Sequence, residues 1–223
     1  MKTTNVLWVG DCPEWDDEVP ANRLEEFKAL LKILQQSLLA SAAAEIIDDQ
    51  HPREWHLALF SRFVPRPYYA GNYRQPAAIF ECLQVDVEVD GVAGTHWRDV
   101  PEAVQDLFVR VAANIVAAEI EWEDLPPTKR VLRVGWLVAE LVGQFIRIHP
   151  FLNGNGRVSR LIWRWILFRF GVSPQCTIFP RPSAPYSGLM AAAMRGNHLP
   201  LALAVIDHLG KNAPRQDPPP PRR

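Results

Sequence analysis

The sequence predicts a mainly α protein: a helical core around a central helix–loop–helix, with one β-hairpin. Three observations predict it. Apolar residues step by threes and fours along most of the chain. One stretch, Leu83 to Gly91, instead alternates apolar and polar residues and ends in Asp-Gly, a hairpin signal. And a long apolar helix runs into His149-Pro150, followed by a glycine-rich turn. At 223 residues the chain suits one domain and can bury a sizeable core.

Residues 1–22 read as an irregular arm that holds Trp8, Trp15 and an acidic cluster at Glu14, Asp16, Asp17 and Glu18, with a short strand at Val6 to Val9. Asn22 suits an N-cap with Glu25 at the capping-box position, and Leu24, Phe27, Leu30, Leu31, Leu34 and Leu38 have helical spacing. That helix is expected to reach about Ile47. Trp55, Leu59, Phe60 and Phe63 predict a second helix from about Pro52, which Pro65-Arg66-Pro67 stops. The hairpin follows, with its return arm over about Val92 to Val100.

Pro101 suits the first turn of a helix running to Glu121, with Val104, Leu107, Phe108, Val111 and Ile115 inward. After Pro126-Pro127, Thr128 caps a helix to Ile148 whose stripe Val131, Val134, Leu137, Val138, Leu141, Val142, Phe145 and Ile148 marks it as largely buried. Val158, Leu161, Ile162, Trp165 and Phe168 predict a helix over Arg157 to Phe170, with Gly171 at C′. Two further helices are expected near Ser187 to Arg195 and Pro200 to Leu209. The proline-rich residues 213–223 read as a disordered tail, and residues 23–212 as the domain.

Formal net charge is −1, so there is no bulk electrostatic case for nucleic acid or a membrane surface. The strongest apolar stretch, Val131 to Ile148, is interrupted by Arg133, Glu140, Gln144 and Arg147 and is too short and polar to span a bilayer. Cys12, Cys82 and Cys176 are scattered and odd in number, which reads as buried free thiols in a reducing compartment. With no secretory signal visible, the expected location is cytoplasmic.

The chemistry concentrates in Ile148-His149-Pro150-Phe151-Leu152-Asn153-Gly154-Asn155-Gly156-Arg157-Val158-Ser159-Arg160. Pro150 disfavours the α region at His149, so the incoming helix should stop there. Gly154 and Gly156 permit a tight turn with exposed N–H groups. A helix restarting near Arg157 aims its positive end at that turn, where an anion is stabilised. Arg157 and Arg160 lie at i and i+3, on one face. A base beside a phosphate cradle is implied. A histidine after a helix is by itself more often a capping or core residue; the neighbouring anion loop changes that weighting.

This segment resembles the signature of the Fic (filamentation induced by cAMP) family, His-Pro-Phe-x-(Asp/Glu)-Gly-Asn-Gly-Arg-x-x-Arg, at every defined position except Asn153, where the family has a carboxylate. Ala70, Gly71, Tyr73 and Arg74 are similar to the family's Ala-Gly-x-Tyr-Arg segment, and the hairpin sits where its flap should be. The resemblance implies the Fic fold over roughly Leu24 to Leu209. It also implies transfer of AMP from ATP to a Ser, Thr or Tyr hydroxyl of a target protein docked on the flap. In that scheme His149 is the base, Gly154, Asn155 and Gly156 cup the α- and β-phosphates, Arg157 binds the phosphates and Arg160 the γ-phosphate. Asn153 stands at the Mg²⁺ position, as an uncharged ligand to an ion held mainly by the nucleotide.

Further expectations come from the same resemblance. Tyr186, followed by Leu189, Ala193, Gly196 and Asn197, matches a segment whose tyrosine flanks adenine, while Met194 replaces an adenine-binding asparagine. Ser41-Ala42-Ala43-Ala44-Glu45 fits most of an inhibitory motif whose glutamate pairs with the second arginine. Without such an element, an antitoxin-like partner would be the regulator. Transfer of UMP, phosphocholine or a phosphoryl group, removal of AMP, and a Fic-fold binding protein without chemistry stay open, although the complete Gly-Asn-Gly-Arg…Arg set argues against phosphorylation.

Overall fold

The computed structural model describes residues 4–7, 10–15, 18–89, 91–171 and 186–212. In chain order these form β1 (Thr4–Val6), α1 (Leu24–Ala44), α2 (Gln50–Phe60), β2 (Val87–Val89), β3 (Val92–Ala93), α3 (Val100–Glu121), α4 (Pro127–Ile148), α5 (Asn155–Arg169), α6 (Tyr186–Met194) and α7 (Leu199–Asn212), with short 3₁₀ turns at Ala21–Arg23, Pro67–Tyr69 and Ala78–Leu83. The proline-rich tail lies outside the described residues. So does Cys176.

The predicted stripe of α4 is buried from Val134 to Ile148, whereas Val131 is more than a third exposed. Around α4 pack α3, α5, α6 and α7, and α1 covers the other side of α5. Being covered on both sides, α5 buries Trp163, Ile166 and Leu167 as well as its predicted stripe. Gly135 and Gly143 let neighbours approach α4 closely: added Cβ atoms would lie 2.6 Å from Ile206 Cγ1 and 2.8 Å from Ala193 Cβ. Arg169 ties the end of α5 to Glu119 of α3, to the Ala42 carbonyl in the last turn of α1 and to the Glu45 carbonyl just after it.

Several boundaries differ from expectation. Asn22 does not cap α1 but sits inside a 3₁₀ turn, and Arg23 is the cap residue. Thr128 likewise lies inside α4, which starts at Pro127 after Pro126. The hairpin is where Asp90-Gly91 places it, with Val89 opposite Val92, but its strands are far shorter than predicted. Val85 and Thr95 would extend them, yet their carbonyls accept hydrogen bonds from Arg74 instead. β1 pairs antiparallel with β2, making the sheet three-stranded in the order β1-β2-β3.

The expectation of free thiols fails for two of the cysteines. Cys12 and Cys82 form a disulfide, 70 residues apart in sequence and with Cα atoms 5.5 Å apart. Disulfides persist where the surroundings oxidise thiols, so the cysteines no longer support a reducing compartment. Among the described residues no helix is long and apolar enough to cross a membrane.

Candidate active site

α4 stops as Pro150 requires. His149 turns left-handed (φ 53°, ψ 59°), the sole non-glycine among the described residues with positive φ. Such a backbone costs on the order of 1–3 kcal/mol and persists only where its surroundings hold it. Arg74 does so. Its side chain is fully buried, with Nε donating to the His149 carbonyl (2.9 Å), Nη2 to those of Ile148 and Thr95 (2.8 Å each) and Nη1 to that of Val85 (2.9 Å). Two of these are terminal carbonyls at the negative end of the α4 dipole. Burial pulls the Arg74 pKa down to about 10, with Asp86 opposing, so it remains charged at neutral pH.

The His149 side chain is buried, and its Nδ1 has no hydrogen-bond partner among the described residues. Burial, and secondarily the Arg74 charge, push its pKa down to about 3; the Ile146 carbonyl pulls the other way without closing a hydrogen bond of normal geometry. A pKa near neutrality is therefore not what this arrangement gives. The imidazole is neutral, the form that accepts a proton.

Phe151 anchors the loop among the rings of His56, Tyr73 and Phe145. Asn155 closes it: Oδ1 accepts the Phe151 N–H (3.0 Å) and Nδ2 donates to the Phe151 carbonyl (2.8 Å). Its amide thus serves the turn, and only its backbone N–H is left for an anion. Gly154 starts α5 at φ +77°, and a Cβ there would lie 2.5 Å from Phe60 Cε2, so glycine is required for conformation and for space. Among the described residues an added Cβ at Gly156 would meet only Arg160 Nη1, at 3.8 Å, so none of them closes that face of the first turn beside the second arginine.

Three groups that the sequence did not single out as functional meet here. Trp15 is buried edge-on to His56 and Phe60, and its carbonyl accepts from Asn153 Nδ2 (2.9 Å). Glu18, 8% exposed, places Oε2 at 3.0 Å from Arg157 Nε, while the Arg157 guanidinium lies over the Phe27 ring. A carboxylate thus stands on an arginine expected to take phosphate. Finally, His56 of α2 is fully buried and stacks on Phe151 with ring centroids 3.8 Å apart. The only signal for Glu18 was its acidic cluster; His56 gave none.

A cavity of about 770 Å³ abuts the last turn of α4, lined in part by Thr95, Arg110, Arg147, Ile148, Met194 and His198. The profile of the Fic/DOC family matches residues 46–167, more than half of the chain. The chain belongs to the Fic/DOC family. A solved structure of a Fic-domain-containing signaling protein from Bacteroides thetaiotaomicron is similar in fold, with a TM-score of 0.59 and 17% identity over 88% of this chain and 74% of the other. No curated protein matches the chain.

Within this Fic frame, two expected roles do not fit. Glu45 does not reach the second arginine: its Oε2 lies 3.0 Å from His51 Nε2, and the Ser41 hydroxyl donates to it at 3.4 Å. The Ser41–Glu45 segment ends α1, where the Arg169 contact to the Glu45 carbonyl pins it. Asn153 does not fit a metal ligand either. Its Oδ1 accepts the Gly154 N–H at 2.8 Å and its Nδ2 is on Trp15, so both amide atoms are turned into the protein. Among the described residues no cluster of three His, Cys, Asp or Glu side chains could hold a metal. Tyr186 is the first residue of α6, and its side chain lies outside the described residues. Met194 is buried against the cavity.

Proposed function

We propose that this Fic protein transfers AMP from ATP to a Ser, Thr or Tyr hydroxyl of another protein, with release of pyrophosphate. The observation that carries the reading is a neutral histidine held at the end of one helix beside the open N-terminal turn of the next. His149 takes the hydroxyl proton and the oxygen attacks the α-phosphorus. As the new P–O bond forms, the bond to pyrophosphate breaks, and the electron pair leaves on the pyrophosphate oxygen. The Asn155 and Gly156 N–H groups, the α5 dipole and Arg157 face the developing charge, with Arg160 toward the γ-phosphate.

The geometry has two consequences for this reaction. Glu18 must leave Arg157 for the triphosphate to bind there. The arriving negative charge then favours protonated imidazole, lifting the His149 pKa toward the range useful to a base. Any Mg²⁺ arrives in this reading as the counter-ion of the triphosphate, because residue 153 does not offer it a ligand. The target segment would lie along β3, since β1 already occupies the other edge of β2.

A second reading changes the donor. The cavity carries two guanidiniums, Arg110 and Arg147, beside the Asp106 carboxylate and the Gln144 amide, and Met194 offers a base no hydrogen-bonding group. Guanidiniums suit the carbonyl oxygens of uracil or guanine. Intact-mass measurement after incubation with each of the four nucleoside triphosphates and cell lysate tests both readings. An added AMP that His149→Ala abolishes is the expected result. An added UMP or GMP selects the second reading, and no adduct of any kind rejects transfer.

A further inference from the structure

The peptide unit joining Asn153 to Gly154 is pinned at both ends. Its N–H is taken by Asn153 Oδ1 at 2.8 Å, and its carbonyl oxygen accepts a hydrogen bond from His56 Nε2 at 3.1 Å. The other ring nitrogen, Nδ1, faces the Gly71 N–H at 2.9 Å. A backbone N–H only donates, so Nδ1 must be the acceptor and the proton must sit on Nε2. The tautomer of His56 is thereby fixed by Gly71, and it is the tautomer that can hold the Asn153 carbonyl.

The orientation of this peptide sets the course of the next two residues. Gly154 has φ +77° and is the cap residue of α5, so its plane sets where the Asn155 and Gly156 N–H groups point. Those groups form the anion cup of the proposed transferase. A ring lying flat on Phe151 and edge-on to Trp15 leaves His56 no room to turn, and even a Cβ added at Gly154 would crowd Phe60 and His56 Nε2. Burial pushes the His56 pKa down to about 3, with the Asn153 hydrogen bond opposing, so the clamp is uncharged throughout the physiological range. An uncharged clamp neither competes for the phosphate nor repels it.

We propose that His56 is a positioning residue of the nucleotide site: it holds the 153–154 peptide so that the first-turn N–H groups of α5 are aimed at phosphate before the ligand arrives. This rests on the transferase reading for its kinetic consequence but not for its structural one.

Two variants separate the hydrogen bonds from the packing. His56→Phe keeps a flat ring on Phe151 and removes both bonds. His56→Gln loses the ring, but its amide oxygen and nitrogen can replace acceptor and donor. The first readout is the backbone amide spectrum of the whole protein, in which the Gly154 and Gly156 signals report the cup directly. They are expected to shift or broaden in His56→Phe and to stay near wild type in His56→Gln. Unmoved glycine signals in His56→Phe would overturn the proposal.

The second readout is transfer, with whichever triphosphate gives the wild-type adduct. Misplacing a cup by a fraction of an ångström to 1 Å commonly costs ~10²-fold, so kcat/KM should fall about that much in His56→Phe, with a thermal midpoint within a few degrees of wild type. His56→Gln should retain activity within about fivefold. Equal losses in the two variants, or losses that merely track the melting temperature, would show packing alone and reject positioning.

A double variant tests whether the clamp is shared. If His56 and Asn153 act on one peptide, adding Asn153→Ala to His56→Phe should lower kcat/KM little further than the worse single change. Fully additive losses would mean two separate roles and overturn the shared clamp. Wild-type protein that transfers nothing would sink the proposed function, while the amide spectra would still decide the position of the loop.

Discussion

The two helix ends that meet at the loop after His149 face the same problem and solve it in opposite ways. At the end of α4, terminal carbonyls are closed off by a fully buried guanidinium, with no carboxylate among its hydrogen-bond partners. At the start of α5, the positive end is left open at Gly156 among the described residues, and Arg157, a quarter exposed, lies over the Phe27 ring with its charge met by the Glu18 carboxylate. The first arrangement is permanent: nothing from solvent reaches Arg74. The second is exchangeable, because a phosphate offers Arg157 what the carboxylate does, with more charge. A rigid end beside an exchangeable one is what a group-transfer site needs.

Changing Arg74 should break the comparison most severely. Arg74→Lys puts a single nitrogen where three nitrogens serve four carbonyls, leaving buried acceptors unsatisfied. A loss of ~3–5 kcal/mol is expected, or ~10 °C in thermal midpoint by calorimetry for a chain of this size. A midpoint within about 2 °C of wild type would mean that the α4 end does not depend on its guanidinium.

Acid comes next. His56 and His149 both titrate near 3 in the folded chain, well below the ordinary histidine value of 6.5. The unfolded chain therefore binds more protons in that interval. Stability should be flat above about pH 6.5 and fall as pH drops from there toward 3, by a few kcal/mol per histidine. Denaturant titrations at pH 7.5 and 5 would show it; equal midpoints would contradict the buried, neutral state of both rings.

Glu18→Gln sharpens the other side. Removing the competing charge should tighten nucleotide binding by about tenfold, near 1.4 kcal/mol, in calorimetric titration. Weaker binding would recast Glu18 as part of the nucleotide site. Smallest of all, Glu45→Gly should leave transfer within about twofold, because Glu45 is committed to His51 and not to an arginine. A sharp rise would restore the inhibitory role that the contacts deny it.

Much of this was legible in the chain. Helical periodicity marks the seven helices found among the described residues because each buries a stripe on its neighbours, and Pro150 marks the stop of α4 to the residue. Hairpin position was readable from Asp90-Gly91, but strand length was not, since it depends on Arg74 drawing off the carbonyls of residues 85 and 95. Of the candidate site, the signature singled out His149, the glycine turn and both arginines. It could not give their supports. His56 acts on a residue 97 positions away and Glu18 on one 139 away, and no local pattern encodes such a contact. The same is true of the disulfide, whose half-cystines carry no spacing signal at a separation of 70. Asn153 and Glu45 were misplaced because a motif names a residue type at a position and not where its polar atoms turn.

The bond between Cys12 and Cys82 makes a closed ring of that part of the chain. Trp15, Glu18, His56, Gly71 and Arg74, the groups that support the site, all belong to the ring; His149, Gly154, Arg157 and Arg160, the groups that would meet the nucleotide, all lie outside it. A protease that nicks one loop of the ring would leave both fragments tethered, and the supports could stay seated against the loop. Where thiols are kept reduced, the same single cut would free an N-terminal fragment to dissociate with its share of the supports. How long this molecule survives a cleavage thus depends on the redox state of its surroundings.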